Sequence, residues 1–170
     1  MKIRAILLSL LLLAGCTYIP DGIEPVKSFN LSRFLGQWYE VARLDHSFES
    51  GLSEVSATYT QRDDQGLNVI NRGYSKEKNQ WNEAIGKGYF VDNTDIGHLK
   101  VSFWGPFYSS FVIFELGENY DYAFVAGYSK DYLWLLSRTP QVDPHILKKF
   151  IADAERKGFD TSKLVMVKHS

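Results

Sequence analysis

A chain of 170 residues favours a single domain, and 45% hydrophobic against 23% charged residues excludes a disordered polymer. A formal net charge of −1 leaves no electrostatic basis for a nucleic-acid partner. Ten Tyr, eleven Phe and four Trp suit β structure, because broad, stiff side chains fit a pleated surface.

At the N-terminus, Lys2 and Arg4 precede an apolar run from Ala5 to Ala14. That run is shorter than the roughly 20 residues of a membrane-spanning helix and reads as a signal peptide. Leu13-Ala14-Gly15-Cys16 resembles the lipobox of bacterial lipoproteins. The resemblance implies cleavage before Cys16 and acylation of its thiol; the alternative is an ordinary secretory signal with an incidental cysteine. Thr17, rather than Asp, after the cysteine implies sorting to the outer membrane. Cys16 is the only cysteine, so no disulfide can form within the chain. The resulting division is residues 1–15 as signal peptide, 16–28 as lipidated N-terminus and tether, and 29–170 as the folded domain. Pro20, Gly22 and Pro25, without periodicity around them, support the tether.

The stretch from Phe34 to Asp45 sets the pattern of the folded domain. Gly36 lacks a Cβ, so the chain can turn sharply just before the bulky pair Trp38 and Tyr39. Large and small or charged residues then alternate, predicting a strand over Gly36–Leu44. Asn30 or Ser32 can cap a single helical turn ahead of it. The loop 45–53 has the length of a flap. Further strands are predicted over 54–62, 67–74, 80–91, 97–104, 107–116, 120–128 and 132–139. In the turn Asp63-Asp64-Gln65-Gly66, the glycine is expected to take the positive φ. Gly86 and Gly88 mark a bend of the wall or a close approach by another group.

Eight strands with short turns and no helix between them form an antiparallel up-and-down meander. Such a meander can close into a barrel that holds one small ligand. After Pro140 the pattern changes. Asp143 can cap a helix that has Pro144 in its first turn. Ile146, Leu147, Phe150, Ile151 and Ala154 recur at helical spacing up to Gly158. This stripe is expected to pack outside the barrel, with 164–167 as a short final strand on an exposed edge.

Gly36-Gln37-Trp38 resembles the first signature of the lipocalin family, and Leu136-Ser137-Arg138-Thr139 the third. Asn119-Tyr120-Asp121-Tyr122-Ala123 corresponds to the second, with its usual Thr replaced. GQWYEVARLDHSFE, LNVINRGY, VSFWGPFY and DYLWLLSRTP are similar to the bacterial outer-membrane lipocalins and their apolipoprotein D relatives. The resemblance implies an all-β, eight-stranded lipocalin barrel that binds fatty acids or lysophospholipids, without cofactor or metal, as a monomer or weak homodimer. It also implies a domain facing the periplasm, lipid-anchored at Cys16. Trp38 is then expected to close one end, with the Arg138 guanidinium stacked on its indole and bonded to carbonyls before Gly36. A cation–π contact of this kind contributes about 0.5–2 kcal/mol. Gly36, Trp38 and Arg138 are therefore read as structural.

Period-two alternation puts Glu40 and Ala42 on the face of Trp38, and Leu136, Trp134 and Tyr132 on that of Arg138. On the other strands the register follows the resemblance, which also places Ala123 inside. The ligand contacts expected are Ala57, Tyr59, Val69, Asn71, Leu99, Val101, Phe103, Val112, Phe114, Val125, Tyr132 and Trp134. An apolar, aromatic tube with few polar groups suits a ligand with its tail inside and its head at the mouth. Arg72 and His46 either meet that head or are a solvated arginine and loop histidine.

Two classes of binding or structural protein follow: a lipid carrier, or an envelope lipoprotein whose barrel is filled and has no physiological ligand. An enzyme is disfavoured. His46, His98, His145 and His169 lack metal-ligand spacing, the serines lack a nucleophile-elbow context, and lipidation consumes the only thiol.

Overall fold

The computed structural model describes residues 16–170; the expected signal peptide lies outside the described residues. The strands are β1 (Gly36–Leu44), β2 (Leu52–Gln61), β3 (Leu67–Ser75), β4 (Gln80–Phe90), β5 (His98–Trp104), β6 (Phe107–Leu116), β7 (Tyr122–Ala126) and β8 (Leu133–Ser137). Each pairs antiparallel with the next, and β1 closes the barrel on β8. A single turn, α1 (Leu31–Phe34), leads in, with the Asn30 side chain accepting from the Arg33 amide. The helix α2 (Pro144–Arg156) and a last strand, β9 (Leu164–Met166), follow the barrel.

Antiparallel order puts the β1–β2, β3–β4, β5–β6 and β7–β8 connections at one end, the rim. The Gly36 and Ser137 ends of β1 and β8 lie at the other, the floor. Two seams open towards the rim. The β1–β2 ladder stops at Tyr39↔Ser56, and above it β9 takes over the free edge of β1, from Ala42↔Met166 to Leu44↔Leu164. The chain end bridges the rest: Glu54 N donates to Lys168 O at 2.8 Å, and His169 Nε2 lies 2.8 Å from Glu40 O. Among the described residues, no strand fills the second seam. The β4–β5 ladder ends at Lys87↔Ser102, so the upper part of β4 is paired with β3 alone.

Two hydrophobic clusters share the barrel wall. The inner one gathers Phe34, Trp38, Tyr59, Val69, Leu99, Ile113, Val125 and Leu136. The outer one lies beneath α2, where Phe150 and Ala154 pack on Leu133, Leu135, Val112 and Phe124. Asp143 caps α2 by accepting from His145 N at 3.0 Å, and Gly158 follows its last turn at φ +83°.

Residues 17–28, expected as a tether, are laid along the outer wall. Ser110 N donates to Cys16 O, and Val26 N to Ile113 O, both at 2.8 Å. Ile23 is buried in the outer cluster with Ile19 against it, while Phe29 reaches Phe34 at 5.4 Å. These apolar residues are spaced irregularly, so neither helical nor strand periodicity marks them. In the 63–66 turn the residue at positive φ is Gln65, not Gly66. A Cβ at Gly66 would meet the Tyr89 ring at 2.6 Å and Gly88 O at 2.8 Å, so that glycine serves a close approach.

Candidate functional site: the barrel interior

The floor is built by residues distant in sequence. Trp38 is fully buried, its Nε1 donates to Phe34 O at 2.7 Å, and the Phe34 ring stacks on it at 4.8 Å. On its other side the Arg138 guanidinium carbon sits 3.9 Å from the indole centroid. The same guanidinium donates to the carbonyls of Arg33 (2.8 Å), Phe34 (3.1 Å), Gln37 (2.9 Å) and Tyr120 (3.1 Å). Gly36, at φ +96°, brings the backbone past this group, and a Cβ there would lie 3.4 Å from Arg138 Nη1.

Above the floor, Tyr59, Val69, Leu99 and Val125 are buried in the inner cluster, with Ala57, Val101, Phe103 and Trp134 partly buried against it. Asn71 shares this face through its pairing with Ala57, and its Oδ1 is buried without a hydrogen-bond partner. Tyr132 stacks on Trp134 at 6.2 Å near the rim. β4 supplies the room. Opposite Gly73, Asn71, Val69 and Leu67 it presents Asn82, Ala84, Gly86 and Gly88. A Cβ on Gly86 would meet the Phe103 ring at 2.8 Å and Ser102 O at 2.7 Å. Ala84 faces inward and is nevertheless exposed, so the upper lumen is open to solvent.

Three expectations are corrected, and one alternative is settled. Val112 and Phe114 point outward, into the cluster beneath α2, while Phe111 and Ile113 face the lumen. Both faces of β6 are buried, so Phe111-Val112-Ile113-Phe114 carries no alternation to choose between them. Ala42 also points outward: a bulge between Glu40 and Ala42 shifts the register and turns Arg43 inward opposite Trp134. Arg72 is the solvated arginine of its two readings: it is exposed on the outer wall, its guanidinium 4.2 Å over Trp81, beside a groove of about 310 Å³ that is separate from the lumen. His46 is buried under the flap instead of solvated, stacked on Phe48 at 3.8 Å.

The flap, residues 45–51, brings in what sequence reading missed. Arg43 is 1% exposed and donates to Glu40 Oε1 at 2.8 Å, Glu49 O at 2.7 Å and Asp45 Oδ1 at 3.3 Å. Glu49 dips inward, and its Oε2 accepts from Trp134 Nε1 at 3.2 Å. His46 Nε2 comes within 3.1 Å of the same carboxyl, but off the line of a hydrogen bond. Sequence held one signal of this cluster. A Glu40 carboxyl inside an apolar tube demands a cation, and Arg43 is the nearest one in the chain.

The Glu40 and Asp45 carboxyls thus share one guanidinium, which also holds the Glu49 backbone carbonyl. Burial pushes Glu40 well above the ordinary carboxyl value, and Glu49 beside it adds to the rise, with Arg43 opposing. The Tyr59 hydroxyl is raised too, first by burial and then by Glu49 and Glu40. The folded state therefore holds the Glu40 proton more tightly than the unfolded chain does. Glu40's contribution to stability is full below about pH 4.3, falls as pH rises towards its folded value, and stays lost above it. Glu40→Gln, which keeps an acceptor for Arg43, should remove that decline. Urea midpoints measured from pH 4 upward on both proteins check this; an unchanged decline would mean that Glu40 is ionised in the barrel.

A floored cup with an apolar lumen and a polar flap has counterparts among known proteins. The family model described as a lipocalin-like domain matches residues 29–169. The outer membrane lipoprotein Blc of Vibrio cholerae is 57% identical over 167 residues, covering 96% of this chain and 98% of the relative. Its namesake from Escherichia coli strain K12 is 47% identical, covering 87% and 84%. Among solved structures, insecticyanin from the tobacco hornworm Manduca sexta superimposes with a TM-score of 0.69 at 17% identity, covering 90% of this chain and 87% of that one. The last shows the barrel alone, but the sequence relatives and the family model, agreeing over nearly all of the domain, show more: this chain belongs to the lipocalin family.

Proposed function

We propose that this lipocalin is an outer-membrane lipoprotein, acylated at Cys16, that binds fatty acids or lysophospholipids in its lumen for membrane maintenance. The reading is of a carrier and not an enzyme. The observation that carries it is the exposed Ala84 on the inner face, above a filled and sealed floor. The lower barrel is packed by Phe34, Trp38 and Tyr59, so an acyl tail occupies the upper half, between Ala84, Phe103 and Trp134. The bacterial relatives bear the name outer membrane lipoprotein, which supports the location.

Burying a CH₂ gains about 0.8 kcal/mol, much the same in a dry pocket as in a bilayer. Such a carrier exchanges lipid with a membrane and does not trap it. The head group remains near the flap, where Glu49 and Asp45 disfavour an anionic head pushed inward.

Trp134 lies in the upper lumen and reports occupancy. Titration with a long-chain fatty acid, a lysophospholipid and haem should give saturable quenching with the first two that disappears in Trp134→Phe. Unchanged fluorescence, with no acyl-chain mass on protein purified from its host, would leave the filled, purely structural barrel as the better reading.

A further inference from the structure

We infer that the rim of the barrel is a membrane-contact surface, in which the β5–β6 tip Trp104-Gly105-Pro106-Phe107 enters the headgroup layer of the phospholipid bilayer that holds Cys16. The inference rests on the proposed acylation of Cys16. Trp104 is 83% and Phe107 75% exposed, the highest values among the large hydrophobics of the described residues, and Phe48 on the flap at the same end is 61% exposed. Side chains of this size left in water at one end of a barrel indicate an apolar partner. Tryptophan at a loop tip suits the boundary between headgroups and water.

The path of the N-terminal segment identifies the partner. Cys16 forms a parallel bridge with Ser109, two residues from Phe107, and its carbonyl accepts from Ser110 N. From there the chain runs away from the rim, past Ile113 to Phe29 near the floor. The acylated residue and the exposed aromatics therefore leave the molecule at the same end. An anchor at Cys16 brings this rim to the bilayer before any other surface.

Charge is consistent with burial and not with electrostatic adhesion. No charged residue lies between Lys100 and Glu115, so the tip and the strand halves next to it are neutral. The unfilled seam lies beside the tip, since the β4–β5 ladder ends at Lys87↔Ser102, two residues short of Trp104. An acyl chain leaving the bilayer there enters the lumen between β4 and β5 with little exposure to water.

The test uses the full acylated protein in vesicles of phosphatidylethanolamine and phosphatidylglycerol that carry a brominated phospholipid. A Trp134→Phe background removes quenching by lipid bound in the lumen. The expected result is strong quenching that resists added salt and falls by at least about half in Trp104→Phe. Equal quenching with and without Trp104, or none in protein that floats with the vesicles, overturns the inference while leaving the anchor intact. Protein that does not float removes the anchor and the inference together. Concentration-dependent self-association lost in Trp104→Ser, without quenching, assigns the tip to a second copy of the chain and overturns it as well.

Discussion

Trp38→Ala should lower the free energy of unfolding by about 3–5 kcal/mol, the range for truncating a large buried aromatic. The indole fills the floor between the Phe34 ring and the Arg138 guanidinium, and its Nε1 satisfies the Phe34 carbonyl. Removing it leaves a void ringed by Phe34, Tyr59 and Leu136, together with a guanidinium facing an emptied space. Denaturant unfolding followed by far-ultraviolet circular dichroism checks this, because that signal does not depend on the deleted chromophore. A loss below about 1 kcal/mol would mean that the floor collapses around the gap or carries little of the fold's stability.

Ala84→Trp should weaken lysophospholipid binding at least tenfold while leaving the fold intact. Ala84 points into the upper lumen and has space in front of it, so a large side chain enters without displacing backbone. Excluding only two methylenes of an acyl chain forfeits about 1.6 kcal/mol, more than a factor of ten in affinity. Isothermal titration against one lysophospholipid, with circular dichroism of the variant, separates loss of space from loss of fold. Unaltered affinity would place the tail elsewhere. The neighbouring Gly86 is a poorer choice for the same purpose, since a Cβ there meets Ser102 O at 2.7 Å.

The barrel was legible in the sequence because its signals are local. Alternating residues mark the strands, the connections are short, and the stripe of α2 changes period after Pro140. The Trp38–Arg138 floor was legible through its two signatures, each at one end of the strand run. What escaped was non-local or broke the period. The bulge after Glu40 reversed Ala42 and Arg43, and no rule of alternation predicts an extra residue. β6 is buried on both sides, so Val112 and Phe114 could not be assigned a face from pattern alone. Glu49 sat in a polar loop among residues that do face water, and only tertiary contact with Arg43 and Trp134 distinguishes it. The segment after Cys16 read as a tether because a strap held by a few hydrogen bonds and scattered apolar residues needs no periodicity.

The clamp over the first seam has a consequence for how this protein is made. Arg138 ties itself to Arg33 across 105 residues, and Ser170 N donates to Glu54 across 116. A chain emerging N-terminus first therefore has no closed floor until Arg138 has emerged, and no sealed first seam until residues 168–170 have followed. Contacts of such long span form slowly, which keeps the polypeptide unfolded during threading. Residues 168–170 then work as the final latch. A tag or fusion placed there, at the residues that close β1 against β2, would delay maturation.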